Sequence, residues 1–144
     1  MKSAPNVAIV GATGAVGKEF LRLIDERDFP FSELRLLASQ RSAGRTITFQ
    51  DSDHTIIELS DDSLDGIDIA LFSASGSISR EYGPIAAKAG AVVIDNSSAF
   101  RMDPTTPLVV PEINPQEIVS HNGIIANPNC STIVMTVPVW PIHQ

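Results

Sequence analysis

The sequence carries a single cysteine in 144 residues, which rules out a disulfide within the chain. Cys130 is therefore a small buried hydrophobe, a metal ligand or a reactive thiol. Metal ligation is the weakest of the three, because His54, His121 and His143 lack ligand-like spacing, and no metal is expected. Basic residues are scarce too: ten Lys and Arg stand against seventeen Asp and Glu, for a net charge of −7. A general nucleic-acid surface needs clustered Lys and Arg, so no nucleic-acid partner is expected. Arg41, Arg45 and Arg101 stand apart and suit small anionic groups. No apolar run approaches the roughly 20 residues that a membrane-spanning helix requires, so no membrane partner is expected either. Met1 to Asn6 lead straight into a strand-like run with no secretory or transit pattern. A soluble cytoplasmic protein is the resulting expectation.

What is present fits one ordinary domain. Hydrophobic residues make up 43% and charged residues 19%, enough for a buried core and against global disorder. Asn6 to Val10 reads as an apolar strand and Ala15 to Ile24 as a helix. Glu33 to Ser39 reads as a second strand, and 46–49 with 55–58 as a small hairpin or further strands. Asp68 to Ala74 and Ala91 to Asp95 are continuous apolar strands, with a helix over Ser79 to Ala89 stopped by Gly90. Alternating strands and helices, with strands apolar on both faces, predict a doubly wound, mostly parallel α/β sheet of Rossmann type. From Arg101 to Pro115 four prolines argue for an extended crossing, with Leu108 to Pro111 at most a short strand.

Gly11-Ala12-Thr13-Gly14-Ala15-Val16-Gly17 follows the first strand and opens the first helix. Glycines there let the backbone approach a pyrophosphate, and the helix N-terminus offers free N–H groups and a positive dipole end. The bland alternative is a glycine-rich turn without a ligand. At the second strand end, where NAD-specific domains place an acid, the chain reads Ala38-Ser39-Gln40-Arg41-Ser42-Ala43-Gly44-Arg45. A guanidinium and hydroxyls suit a 2′-phosphate, which favours NADP over NAD; a solvated basic loop is the alternative.

Asn127-Pro128-Asn129-Cys130-Ser131-Thr132 precedes an apolar run that reads as a helix. A helix start favours the thiolate, the nucleophilic form of a cysteine, although a lone cysteine is more often structural. Pro138 is expected to kink or end that helix early. Arg101 follows the strand ending at Asp95, at the sheet edge where ligands gather in such folds.

Taken in order, these motifs, with Leu71 to Ala74, Val93 to Arg101 and Val109 to Asn114, resemble those of aspartate-semialdehyde dehydrogenases over nearly the whole chain. The resemblance implies reductive dephosphorylation of L-aspartyl-4-phosphate to L-aspartate 4-semialdehyde with NADPH, toward lysine (through diaminopimelate), threonine and methionine. It implies Cys130 as the nucleophile that forms an acyl-thioester, and Arg101 as the phosphate ligand with Asn129 beside it. It places Gly11, Thr13, Gly14, Ala15 and Val16 at the cofactor pyrophosphate. It puts Arg41 and Ser42 near the 2′-phosphate, with Ser39 and Ser73 also among the cofactor-binding residues. One departure stands out: many relatives read Ser-Ala-Gly-Gly-Ser where this chain has Ser73-Ala74-Ser75-Gly76-Ser77.

The rivals are N-acetyl-glutamyl-phosphate reductase, disfavoured by Asn129 and Ser131 around Cys130, and glyceraldehyde-3-phosphate dehydrogenase, which fits less well. A non-catalytic NADP-binding fragment is the rival of another class. The resemblance divides the chain into an NADP-binding domain over 1–130 and, over 131–144, the start of the helix leading into a catalytic and dimerisation domain. The resemblance implies that this second domain, expected to be missing from the chain, carries the family's histidine base and its other substrate contacts; His121 and His143 do not match it. The isolated chain is accordingly expected to bind NADP weakly without turnover and to associate through exposed apolar surface, and the full-length protein to be a homo-oligomer.

Overall fold

The computed structural model describes residues 4–143, so Met1–Ser3 and Gln144, at the outer ends of the two spans expected above, lie outside the described residues. At its centre is a six-stranded sheet. β1 (Asn6–Val10) lies between β2 (Glu33–Ala38) and β6 (Ile69–Phe72), with Val7 opposite Leu34 on one side and Ile69 on the other. β5 (Ile57–Glu58) extends the sheet beyond β2, and β7 (Val92–Asp95) and β8 (Ile124–Ala126) extend it beyond β6. The order is β5-β2-β1-β6-β7-β8, with every pairing parallel. This is the doubly wound topology read from the sequence, and its strand order reverses beside β1.

Alternation along β1 builds the two cores. Val7 and Ile9 face one layer with Leu21 and Ile24 of α1 (Ala15–Glu26). Ala8 and Val10 face the other, with Leu64, Phe72 and Val93 and with Ala86 of α2 (Gly76–Lys88). Successive strand side chains point to opposite faces, so a strand covered on both sides must be apolar throughout. Burying each large aliphatic side chain contributes roughly 1.5–3 kcal/mol. Among the described residues no buried side-chain polar atom lacks a hydrogen-bond partner.

Four elements depart from the sequence reading. α2 begins at Gly76, three residues before the expected Ser79, because Ser75 caps it: its hydroxyl accepts from the Ile78 N–H at 3.4 Å. Ser75 is the residue at which the chain departs from the motif it resembles, and here it starts a helix. The small hairpin pairs β3 (Thr46–Phe49) with β4 (Ser52–Thr55), while Ile57–Glu58 joins the main sheet. Its two turn residues, Gln50 and Asp51, have φ of 48° and 59° without a glycine, so the strongest hairpin signals, Asn-Gly and Asp-Gly, are missing and only Asp51 hints at the turn. Pro115–Ser120 forms a 3-10 helix with proline in its first turn, where the missing N–H costs nothing. Leu108 contributes a single bridge to Ala126.

The fourth departure is α3 (Cys130–His143), which continues through both Pro138 and Pro141. Each proline removes one backbone bond, yet Val134, whose carbonyl Pro138 leaves free, is 75% exposed, so water can take the bond's place. None of the residues of α3 is buried. No helix among the described residues is long and apolar enough to cross a membrane.

Candidate active site

At the strand-order reversal the carboxyl ends of β1, β2, β5 and β6 enclose a cleft of about 450 Å³. Gly11, Thr13 and Gly14 form its floor, Ser39 and Gln40 one wall, and Ser73, Ala74, Ile78 and Tyr82 the opposite wall. Gly11 has φ +87°, and a Cβ there would stand 2.3 Å from the Ser73 carbonyl oxygen, so only glycine fits. A Cβ on Gly17 would lie 2.4 Å from the Gly11 oxygen; this glycine lets α1 pack directly on the loop. Gly14 caps α1 with no side chain, and the first turn holds no acid. The free N–H groups of that turn are thus open to an anion, which is what a dinucleotide pyrophosphate requires.

Of the residues assigned to the cofactor from the sequence, Gly11, Thr13, Gly14 and Ser73 line this cleft together with Ser39. Ala15 and Val16 follow as the first residues of α1. Arg41 and Ser42 lie in a 3-10 turn (Gln40–Ser42) outside the lining; Ser42 is buried, and its N–H donates to the Ser39 carbonyl at 2.8 Å. A second recess of about 210 Å³ shares Thr13 with the cleft and is lined by Lys18, Arg45, Thr46, Ile47 and Ile56. Gln40, Glu58, Leu59, Ile78 and Tyr82 also line the cleft and were not assigned to it from the sequence. They come from an edge strand, a turn and a helix face that meet only in the fold.

The thiol lies two strands away, along the same carboxyl edge. Cys130 is the first residue of α3 and is exposed. Asn129 caps this helix, its side-chain oxygen accepting from the Ser131 N–H at 3.0 Å. Arg101, half-buried, reaches the strap leading to Cys130: its Nε donates to the Asn127 carbonyl at 2.9 Å and one Nη to the Asn96 carbonyl at 2.8 Å. A guanidinium has five N–H donors, so the remaining ones stay available to an anion. The Asn127 side chain in turn donates to the Asn96 carboxamide oxygen.

What holds this arrangement is Asp95, fully buried at the end of β7. Its Oδ1 accepts from the Ser79 hydroxyl at 2.7 Å and from the Ser97 N–H at 3.2 Å, and its Oδ2 accepts from the Ser97 hydroxyl at 2.7 Å. Ser79 belongs to α2, so this carboxylate ties the loop bearing Arg101 to the helix beside the cleft. The Asn127 N–H donates to the Asp95 carbonyl at 2.9 Å and adds the cysteine strap to the same anchor. A buried carboxylate is stable only when its oxygens are satisfied in this way. Among the described residues no group of three or more His, Cys, Asp or Glu is placed to hold a metal ion.

Comparison with known proteins adds three findings. A family model described as semialdehyde dehydrogenase, NAD binding domain, matches residues 6–121. The chain is 55% identical over 139 residues to an aspartate-semialdehyde dehydrogenase of Bacillus subtilis, covering 96% of this chain and 40% of that protein. It is 58% identical over 141 residues to one from Aquifex aeolicus, with 96% and 42% covered. The crystal structure of aspartate semialdehyde dehydrogenase II from Vibrio cholerae, complexed with ASA, superposes with a TM-score of 0.94 at 51% identity, covering 98% of this chain and 47% of that one. The chain thus spans about two-fifths of the length of the curated relatives it matches.

Proposed function

Because this chain belongs to the semialdehyde dehydrogenase family through its NAD-binding domain, we propose that it supplies the cofactor cleft and the thiol nucleophile of an aspartate-semialdehyde dehydrogenase. The reaction is reductive dephosphorylation of L-aspartyl-4-phosphate to L-aspartate 4-semialdehyde, on the route to lysine, threonine and methionine. The observation that carries this reading is an exposed cysteine at a helix start, with the cysteine strap hydrogen-bonded to an arginine on the carboxyl edge that also bears the cleft.

In the first half-reaction the Cys130 sulfur attacks the acyl carbon of the substrate, a C–S bond forms, and the C–O bond to phosphate breaks. Arg101 offsets the charge of the departing phosphate while staying tethered to Asn96 and Asn127. In the second half-reaction the thioester is reduced, the C–S bond breaks, and the thiolate returns as the aldehyde leaves. When bound, the reduced nicotinamide supplies the hydride for that step.

Gly11, Thr13 and Gly14 seat the pyrophosphate, and Ser39 and Ser73 stand along the two walls. NADP is the cofactor in this reading, with Arg41 and Ser42 near the 2′-phosphate. Residues 1–130 act as the NADP-binding domain in this reading, and the helix that starts at Cys130 leads toward the substrate side. The partners are the acyl phosphate, the semialdehyde and phosphate, and the working enzyme is a homo-oligomer.

The test is an assay of NADPH oxidation with L-aspartyl-4-phosphate, on protein purified from its host, beside a Cys130→Ala form. Loss of turnover with retained NADPH binding is expected. Full activity in the alanine form would sink the nucleophile assignment.

A further inference from the structure

Among the described residues that line the nucleotide cleft, Glu58 is the only one with a charged side chain. The sequence shows no acid at the end of β2, yet the sheet register brings one there. Ala38, the last residue of β2, pairs with Glu58, and the Leu59 N–H donates to the Ala38 carbonyl at 2.8 Å. Around this carboxylate the cleft changes character, with Leu59, Ile78 and Tyr82 offering aliphatic and aromatic surface. Such surface suits a planar ring better than a sugar or a phosphate.

The cations lie elsewhere. Lys18 and Arg45 line the smaller recess that shares Thr13 with the cleft, and neither makes an ion pair among the described residues. A phosphate is drawn toward that recess or toward Arg41, in the turn beside Gln40, and repelled by Glu58. An ionised carboxylate only accepts hydrogen bonds, so whatever it binds must donate. An adenine dinucleotide has two flat rings that carry an N–H donor, the adenine with its exocyclic amine and the nicotinamide with its carboxamide. The end of β2, where Glu58 pairs with Ala38, faces the adenosine half in such folds, so the donor is the exocyclic amine of the base. Tyr82 stands in the same acidic surroundings. Desolvation, then the carboxylates of Glu81, Asp61 and Glu58, hold its hydroxyl above the usual phenol range, so the ring stays neutral.

We propose that Glu58 reads the base of the dinucleotide, accepting a hydrogen bond from the adenine amine while Leu59, Ile78 and Tyr82 flank the ring. This inference rests on the nucleotide reading of the cleft given above and assigns one of its side chains a specificity role.

The experiment titrates the protein and its Glu58→Gln form with NADPH, with NADH and with the hypoxanthine analogue of NADPH, in which a carbonyl replaces the amine. Nicotinamide fluorescence reports binding, and Glu58 is exposed, so matching melting curves confirm that both forms fold. The unaltered protein is expected to bind NADPH about tenfold more tightly than the analogue, the scale of one charge-assisted hydrogen bond. In the glutamine form that ratio falls to about one, because a carboxamide can donate to the analogue's carbonyl. Equal binding of NADPH and the analogue by the unaltered protein would overturn the role of Glu58 and leave the cleft a nucleotide site. A ratio that survives in the glutamine form would overturn it as well. So would tighter NADPH binding and weaker NADH binding in that form with the base ratio unchanged, since the carboxylate would then face the ribose. Binding of none of the three would remove the nucleotide reading itself.

Discussion

β1 and α3 are both rich in apolar residues, yet Val7 to Val10 are at most 1% exposed, while Val134 is 75% and Ile142 83% exposed. The difference lies in their neighbours. β1 has a strand on each side and a packed layer on each face, so every side chain leaves water. α3 is joined to the fold at its start, through Asn127 to Asn129 and their contacts, and buries none of its residues. Apolar composition is not stabilisation; removal from water is. The sheet around β1 therefore sets the stability of the chain, and in the function proposed above the first residue of α3 carries the chemistry.

The largest expected effect separates these two roles most sharply. In the protein purified from its host, Cys130→Ala should lower turnover by at least about 10³-fold, since it deletes the proposed nucleophile of a covalent route. The melting temperature should stay within about 2 °C, because the thiol is exposed. A large fall in melting temperature would show the thiol to be structural after all.

Gly11→Ala should do the reverse. A Cβ 2.3 Å from a backbone oxygen, at φ +87°, should destabilise by at least about 3 kcal/mol and lower the melting point by about 10 °C. Calorimetry that finds no change would mean the loop can shift away from Ser73.

Arg101→Lys keeps the charge but loses the fork that holds two carbonyls and leaves further N–H donors for the proposed phosphate. About 10²-fold in kcat/KM for the acyl phosphate is expected to go, roughly 2.7 kcal/mol. Unchanged kcat/KM would place the phosphate elsewhere.

The smallest effects form a matched pair on the two elements compared above. Val10→Ala in β1 should cost about 2 kcal/mol, whereas Val134→Ala in α3 should lie within about 0.5 kcal/mol of zero. Chemical denaturation of both measures the contrast directly, and equal costs would break it.

The sequence by itself determined the elements whose signals are local. Continuous apolar runs mark β1, β6 and β7 as strands covered on both faces, and Gly11 to Gly17 mark the loop that opens α1. Asn129 and Cys130 read as a helix start for the same reason: capping depends on adjacent residues. Of the two outcomes expected at Pro138, an early end to α3 does not occur, because exposure, a tertiary property, decides whether a freed carbonyl finds water.

Only the tertiary structure decided which distant residues share a site. Glu58 sits in a two-residue edge strand, too short for any periodicity to show, and reaches the cleft solely through its register with Ala38. Arg101 meets the strap before Cys130 because β7 and β8 lie side by side and Asp95 anchors the loop between them and α2. Helix and strand signals arise within a few residues of chain, whereas register and side-chain convergence are set by partners tens of residues away. Local chemistry thus determined the parts, and packing decided which of them face one another.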